Sequence, residues 1–111
     1  MKLKLGVFIL TCFLWVQNAQ AQAYMPELYV GTGCPHCAKV EAFLEGFSQQ
    51  HPQFKLNIYD VYKSRRDAAK LMQKFSELDI PEEQRGVPVL FTGKTYYFGD
   101  RDIINYFKSL R

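Results

Sequence analysis

The stretch LYVGTGCPHC, residues 28–37, sets the expectations for the rest of the chain. Its first three apolar residues predict a short buried strand, a Gly-Thr-Gly turn follows, and the next segment has the apolar spacing of a helix. Cys34 and Cys37 therefore stand one turn apart at the start of a helix, where free backbone N–H groups and positive partial charge favour a thiolate. This arrangement predicts a redox dithiol, with Cys34 as the attacking sulfur and Cys37 as the resolving sulfur.

The two residues between the cysteines belong to the same predicted catalytic site. Pro35 suits the first helical turn, because its missing N–H costs nothing there. A protonated His36 adds positive charge beside the thiolate and stabilises the reduced form. That stabilisation makes the couple more oxidising.

Other interpretations of the cysteine pair fit the sequence less well. A haem attachment site needs His directly after the second cysteine, and Ala38 stands there. A structural zinc site needs four ligands, and no second cysteine pair follows in the sequence. A disulfide that closes so short a loop constrains the unfolded chain very little. Redox chemistry is favoured, and a non-enzymatic metal carrier using both thiols stays open as an alternative.

The first 23 residues predict a cleavable signal peptide. Two lysines precede an apolar run at residues 5–16, and a small-residue motif, AQA, occupies residues 21–23. The apolar run is short for a transmembrane helix, although an uncleaved anchor stays open. We expect cleavage after Ala23, a folded domain at residues 24–111, and export to the bacterial periplasm.

The charge balance of the predicted domain is close to neutral. The chain has fourteen Lys and Arg, so loss of Lys2 and Lys4 leaves twelve against eleven Asp and Glu. Such a balance does not predict a partner that is nucleic acid or an anionic membrane surface. Cys34 and Cys37 are then the remaining cysteines, and disulfide chemistry is natural in an oxidising compartment.

The apolar patterns predict an α/β domain with the element order βαβαββα. The expected strands cover residues 28–30, 54–60, 87–91 and 95–98, and the expected helices cover residues 34–50, 65–78 and a last segment capped by Asp100. Alternating strands and helices favour a parallel core, and a tight turn at Gly93 adds an antiparallel edge. We expect a four-stranded mixed sheet with helices on both faces. The second helix is expected to bury Ala68, Leu71, Met72 and Phe75.

These features resemble the thioredoxin superfamily, and the short βαβαββα order resembles its glutaredoxin-type minimal form. The tetrapeptide Cys-Pro-His-Cys is similar to the active site of DsbA-type periplasmic thiol oxidases. A second anchor of the resemblance is Gly86-Val87-Pro88, just before a strand and a hairpin. The resemblance implies that Pro88 follows a cis peptide bond beside the cysteines. It also implies that the backbone of Val87 pairs with an extended substrate.

The sequence departs from the relatives at several points. Glutaredoxins usually carry a basic residue shortly before the first cysteine, whereas this chain has Val-Gly-Thr-Gly at residues 30–33. They also carry a Gly-Gly-acid motif late in the chain, whereas this chain has a single Gly99 before Asp100. Glutathione-dependent reduction therefore stays an alternative, with glutathione as a possible co-substrate. The segment between residues 60 and 87 is too short for the helical insertion of DsbA-type proteins. For the buried acid of thioredoxins, Glu27 and Glu41 are the candidates.

The sequence as a whole predicts an exported thiol–disulfide oxidoreductase that needs no metal or organic cofactor. We expect a monomer that exchanges disulfides with protein thiols and is recycled by a membrane or soluble redox partner. Its reduction potential is expected between that of thioredoxin and that of DsbA, because one histidine supplies only part of the difference between them.

Overall fold

The structure, a computed structural model, describes residues 25–93 and 95–110, and over these residues the chain follows the order βαβαββα. The elements are β1 (Glu27–Val30), α1 (Pro35–Gln50), β2 (Asn57–Asp60), α2 (Arg65–Glu77), β3 (Val89–Thr92), β4 (Thr95–Phe98) and α3 (Asp100–Ser109). A 3-10 turn, Glu82–Gln84, precedes β3. The predicted signal peptide lies outside the described residues. No helix in the described part of the chain combines the length and apolar character needed to cross a membrane.

The four strands form one mixed sheet in the order β2-β1-β3-β4. Strands β1 and β2 are parallel, whereas β3 is antiparallel to both β1 and β4. The predicted mixed four-stranded sheet and its thioredoxin-like element order are confirmed. The expected parallel core is limited to one strand pair, because residues 78–88 return the chain to the carboxyl end of β1 before β3 begins.

The core lies in two layers, one on each face of the sheet. Helices α1 and α3 cover one face, and we call the buried residues there the α1/α3 cluster: Leu28, Val30, Cys37, Val40, Leu44, Phe47, Leu90, Ile103 and Phe107. Helix α2 covers the other face over Tyr29, Leu71, Phe75, Ile80, Val89 and Phe91. Successive residues of β1 point to opposite faces, so one short strand contributes to both layers. Truncating a fully buried aromatic such as Phe107 to Ala would cost about 3–5 kcal/mol.

Four boundary or burial predictions are corrected by the structure. The second strand begins at Asn57 rather than residue 54, because the preceding Phe54 packs into the α1/α3 cluster. The third strand begins at Val89 rather than residue 87, after the cis bond. Met72 is exposed, since the buried stripe of α2 is narrower than the sequence pattern. Helix α3 is capped by Gly99, and Asp100 is its first helical residue.

Candidate active site

The first cysteine completes the start of helix α1. Cys34 is the N-cap residue, with extended backbone angles, and Pro35 occupies the first helical position. The backbone N–H of Cys37 donates to the Cys34 sulfur at 3.2 Å, so this sulfur satisfies one of the free donors of the helix. The Cys34 side chain is partly exposed and a free thiol. The expected position at a helix N-terminus is therefore what the fold produces.

The second cysteine lies directly behind the first. Cys37 is a free thiol with 1% of its surface exposed, and it belongs to the α1/α3 cluster. Burial, and next its hydrogen bond with Cys34, raise the pKa of Cys37 to about 12, while the backbone of Gly31 acts in the opposite sense. The accessible Cys34 sulfur thus lies in front of the buried, neutral Cys37 thiol. This arrangement suits attack by Cys34 on a substrate and later release of the product by Cys37.

The loop before β3 reaches the same end of the molecule. The Val87–Pro88 peptide bond is cis, and the Pro88 side chain is fully buried. The Cys34 thiol donates a weak hydrogen bond to the Val87 carbonyl across 3.9 Å. The Gly99 N–H donates to the Pro88 carbonyl at 3.0 Å, which ties this loop to the start of α3. Both residues of the predicted substrate edge are therefore next to the dithiol.

His36 points away from the core and meets the start of α3. Its Nδ1 donates to Asp100 Oδ2 at 3.1 Å, and Lys39 Nζ lies 3.7 Å from the same oxygen. Asp100 Oδ1 accepts from the Arg101 N–H at 2.8 Å. The hydrogen bond from His36, aided by these neighbours, holds the pKa of Asp100 below its usual range. The carboxylate that sequence reasoning treated as a helix cap is thus a contact between α3 and the active-site tetrapeptide.

Asp60 contacts the turn before Cys34, a contact that sequence reasoning missed. One of its oxygens accepts from the backbone N–H groups of Thr32 (3.3 Å), Tyr62 (3.0 Å) and Lys63 (3.3 Å), and the other accepts from the Thr32 hydroxyl. The Thr32 hydroxyl is the main cause of the lowered pKa of Asp60. Asp60 therefore anchors the turn that leads into Cys34.

The register of the sheet explains this contact. Asp60 is the last residue of β2 and pairs with Val30, the last residue of β1, so the turn after β1 begins beside it. The carboxyl ends of parallel strands meet at one edge, which is where sites form in such sheets. The signal in the sequence was an Asp at the end of the second predicted strand.

The ring of Tyr62 packs over the same turn. A Cβ atom placed on Gly31 would lie 2.4 Å from a Tyr62 ring carbon, so Gly31 permits a contact that a larger residue would disturb. A cleft of about 510 Å³ opens beside this turn and is lined by Cys34, Pro35 and Glu41 among others. A larger groove between α1 and β2 continues from it, away from the reactive sulfur.

The two acids suggested by the sequence, Glu27 and Glu41, lie at different distances from the dithiol. Glu41 lines the cleft beside Cys34, and its charge contributes to the raised pKa of Cys37. Glu27 instead pairs with Lys74 at 3.2 Å and Lys70 at 3.6 Å on the face covered by α2. The structure therefore places Glu41 near the dithiol and leaves Glu27 on the opposite face of the sheet. Within residues 25–93 and 95–110, no three His, Cys, Asp or Glu side chains are grouped so as to hold a metal ion.

Comparisons with known proteins agree with this fold. A family model described as Glutaredoxin matches residues 19–97 of the chain. The crystal structure of a glutaredoxin from Archaeoglobus fulgidus superimposes with a TM-score of 0.51, covering 83% of this chain and 90% of that one at 18% sequence identity. At that identity the superposition establishes the fold alone. No curated protein matches the sequence.

Proposed function

The chain belongs to the glutaredoxin family, and we propose that it is an exported thiol–disulfide oxidoreductase whose Cys34–Cys37 dithiol exchanges disulfides with protein thiols. The observation that carries the proposal is the asymmetry of the two sulfurs. Cys34 is partly exposed and accepts a hydrogen bond from the Cys37 N–H, whereas Cys37 is buried behind it. One sulfur meets the substrate, and the other closes the reaction internally.

The exchange proceeds in two thiol–disulfide exchange steps. With the protein oxidised, a client thiolate attacks the Cys34 sulfur, the Cys34–Cys37 bond breaks, and Cys37 leaves as a thiolate that takes up a proton. A second client thiolate then attacks the client sulfur of the mixed disulfide, which forms the client disulfide and releases Cys34. Two electrons have passed from client to protein, and the reverse sequence reduces a client disulfide.

The neighbouring groups have distinct tasks in this scheme. The Val87 carbonyl and Pro88 border Cys34 and shape the edge along which an extended client segment lies. Pro35 starts the helix without an unsatisfied donor, and His36 supplies a charge that acts on the thiolate. Glu41 lines the cleft and its charge acts on Cys37, so in this scheme it exchanges a proton with Cys37, giving it when Cys37 leaves and accepting it in the reverse direction. No metal or organic cofactor enters the scheme.

The cellular side of the proposal rests on the sequence. The predicted signal peptide supports export to the periplasm, where a monomeric catalyst would meet client thiols and a separate membrane or soluble recycling partner. Fractionation of a cell that expresses the full chain, with mass analysis of the amino terminus, tests cleavage after Ala23. Recovery of the intact chain in the cytoplasm would contradict export.

Exchange without glutathione is the decisive test of the activity. The protein is expressed from the full chain and purified as it is recovered from the cell. It is then oxidised and mixed with a reduced dithiol peptide. Mass spectrometry should show a peptide disulfide and a reduced protein, and Cys34→Ser should abolish the reaction. Reduced Cys37→Ser, mixed instead with the oxidised peptide, should accumulate a mixed disulfide at Cys34, because Cys34 attacks the peptide disulfide and no second protein thiol resolves the product. Equal trapping by both variants would contradict the assigned order of the two sulfurs.

Glutathione-dependent reduction is the second candidate, and the family match favours it. The same peptide experiment separates the two, since a glutathione-dependent enzyme should turn over only when glutathione is added. Metal analysis of the reduced protein covers the carrier alternative. Stoichiometric copper or zinc, together with no exchange, would replace both enzyme proposals.

A further inference from the structure

The contact between α1 and α3 brings three ionisable side chains together beside the Cys34–Cys37 segment. The Asp100 carboxylate accepts from His36 Nδ1 at 3.1 Å and lies 3.7 Å from Lys39 Nζ. The carboxylate side chain is only 20% exposed, whereas those of His36 and Lys39 are 66% and 68% exposed. The Arg101 N–H holds its second oxygen at 2.8 Å. Asp100 is therefore the fixed member of the group, and His36 is the member that it holds.

On the basis of the proposed function, we infer that Asp100 is a positioning residue that holds the His36 imidazole and offsets its positive charge, so that the Cys34–Cys37 couple is less oxidising than its tetrapeptide predicts. A lone imidazolium inside the tetrapeptide would act on the thiolate as a full charge. Paired with a carboxylate, it acts as a dipole, whose field falls off faster with distance. The reduced form therefore gains less from His36 than it would without Asp100.

The charges around this pair do not replace the carboxylate. From α1, Lys39 contacts the same oxygen, and Glu41 acts on Cys37 from the next turn. From α3, Asp100 is the acid in contact with His36, whereas Arg101 and Asp102 are exposed neighbours on the same turn. The lowered pKa of Asp100 keeps its carboxylate ionised over the range in which histidines titrate. The offset accordingly operates whenever His36 carries a charge.

A simple helix-to-helix staple would give a different result. If Asp100 only joined α3 to α1, Asp100→Asn would lower the melting temperature and leave the redox equilibrium unchanged. The equilibrium constant with glutathione is the readout that separates these roles, because the thiolate charge enters it directly. Asp102 provides a matched control, since it is an acid in the same first turn of α3 and is exposed.

The experiment compares the wild-type protein, expressed from the full chain and purified as recovered from the cell, with four variants. These are Asp100→Asn, His36→Thr, the double variant and Asp102→Asn. Each is equilibrated with reduced and oxidised glutathione near pH 5.5 and pH 8.5, on either side of the range in which histidines titrate. Equilibrium is checked by starting from both the oxidised and the reduced protein.

At the lower pH, Asp100→Asn should favour the reduced protein by about threefold to tenfold, equal to about 15–30 mV, with a smaller effect at the higher pH. Asp102→Asn, and Asp100→Asn in the His36→Thr background, should each change the constant by less than about twofold. Equal effects of Asp100→Asn with and without His36, or equal effects of the two Asn variants, would overturn the inference. Failure of the wild-type protein to equilibrate at all would overturn the proposed function with it.

Discussion

The active site has an outer half, formed by His36, Lys39 and Asp100, and an inner half, formed by Asp60, Cys37 and the turn before Cys34. The carboxylates of the two halves have different roles. On the outer half, Asp100 contacts the exposed side chains of His36 and Lys39. On the inner half, Asp60 accepts from backbone N–H groups and a hydroxyl and fixes the turn before Cys34. One carboxylate acts on charge at the surface, and the other acts on the position of the chain.

The two sulfurs reflect this division. Cys34 is partly exposed at the helix start, while Cys37 is buried within a packed apolar layer. Changes in the outer half should therefore alter redox equilibrium and leave the stability of the oxidised protein nearly unchanged. Changes in the inner half should alter folding and rate together. The four predictions below test that separation, beginning with the largest expected effect.

The largest effect should come from the buried thiol at alkaline pH. The pKa of Cys37 is raised from 9.0 to about 12, so the folded state holds the neutral thiol more strongly than the unfolded chain does. The stability from this burial is complete below about pH 9 and is lost as pH rises toward 12. The reduced wild-type protein should lose up to about 2 kcal/mol relative to Cys37→Ser by about pH 10.5.

Denaturant unfolding of both proteins under a phosphine reductant, from pH 8 to pH 10.5, measures this difference. The buried Tyr29 also has a raised pKa, but it is present in both proteins and cancels in the comparison. Parallel stability curves for the two proteins would place Cys37 in the same exposed environment as Cys34.

The second effect concerns the inner carboxylate. Asp60→Ala removes the acceptor for the Thr32 N–H and hydroxyl, so the turn before Cys34 should loosen and exchange with a dithiol peptide should slow by about tenfold. The melting temperature should fall by several degrees in the same variant. Thr32→Ser, which keeps the hydroxyl, should stay near wild type, whereas Thr32→Val should follow Asp60→Ala. An unchanged exchange rate in Asp60→Ala would show that the turn is held by other contacts.

The third effect compares two glycines with open space around them. Gly33, in the turn before Cys34, has a φ of +87°, which a side chain adopts only with strain. Gly46 lies within α1, where Ala is preferred. Gly33→Ala should lose about 1 kcal/mol in the free energy of unfolding, and Gly46→Ala should gain about 0.5–1 kcal/mol. Changes of the same sign in chemical denaturation would be inconsistent with this assignment.

The smallest effect should come from the outer surface. Lys39→Gln removes an ion pair whose lysine is 68% exposed, so stability should change by a few tenths of a kcal/mol at most. Lys74→Gln is the matched comparison, because Lys74 pairs with Glu27 at 3.2 Å and is 23% exposed. Thermal unfolding at low and high salt should show a larger and more salt-sensitive change for Lys74. A larger loss from Lys39→Gln would mean that the outer half also supports the fold.

The local parts of the site were predictable from sequence. The position of Cys34 at a helix start, with Cys37 one turn further on, follows from spacing within one helical turn. The hairpin strand at residues 95–98 was placed correctly for the same reason, since its turn and alternation are local. The proximity of Pro88 to Cys34 was inferred from the family resemblance, because nothing in local spacing brings residues so distant in sequence together.

The contacts that join separate elements were harder to infer. Asp60 meets Thr32 across 28 residues and Asp100 meets His36 across 64, so both depend on strand order and helix placement. The extent of the second strand was overpredicted because alternating apolar residues also suit a loop that packs its aromatic side chain inward. Ile58 is 52% exposed for a related reason, since β2 is the outermost strand of the sheet.

The Cys34 sulfur caps helix α1 and is the nucleophile of the proposed reaction, and this double role links redox chemistry to folding in one thermodynamic cycle. In the reduced protein the sulfur accepts the Cys37 N–H, so whatever stabilises that acceptor stabilises the folded reduced chain. The oxidised protein, in which this sulfur belongs to the disulfide, does not gain the same free energy. For a substitution that changes this acceptor and leaves the oxidised protein unaltered, the gain in oxidising power therefore equals the gain in stability of the reduced protein, so calorimetry and a redox titration should report the same free energy.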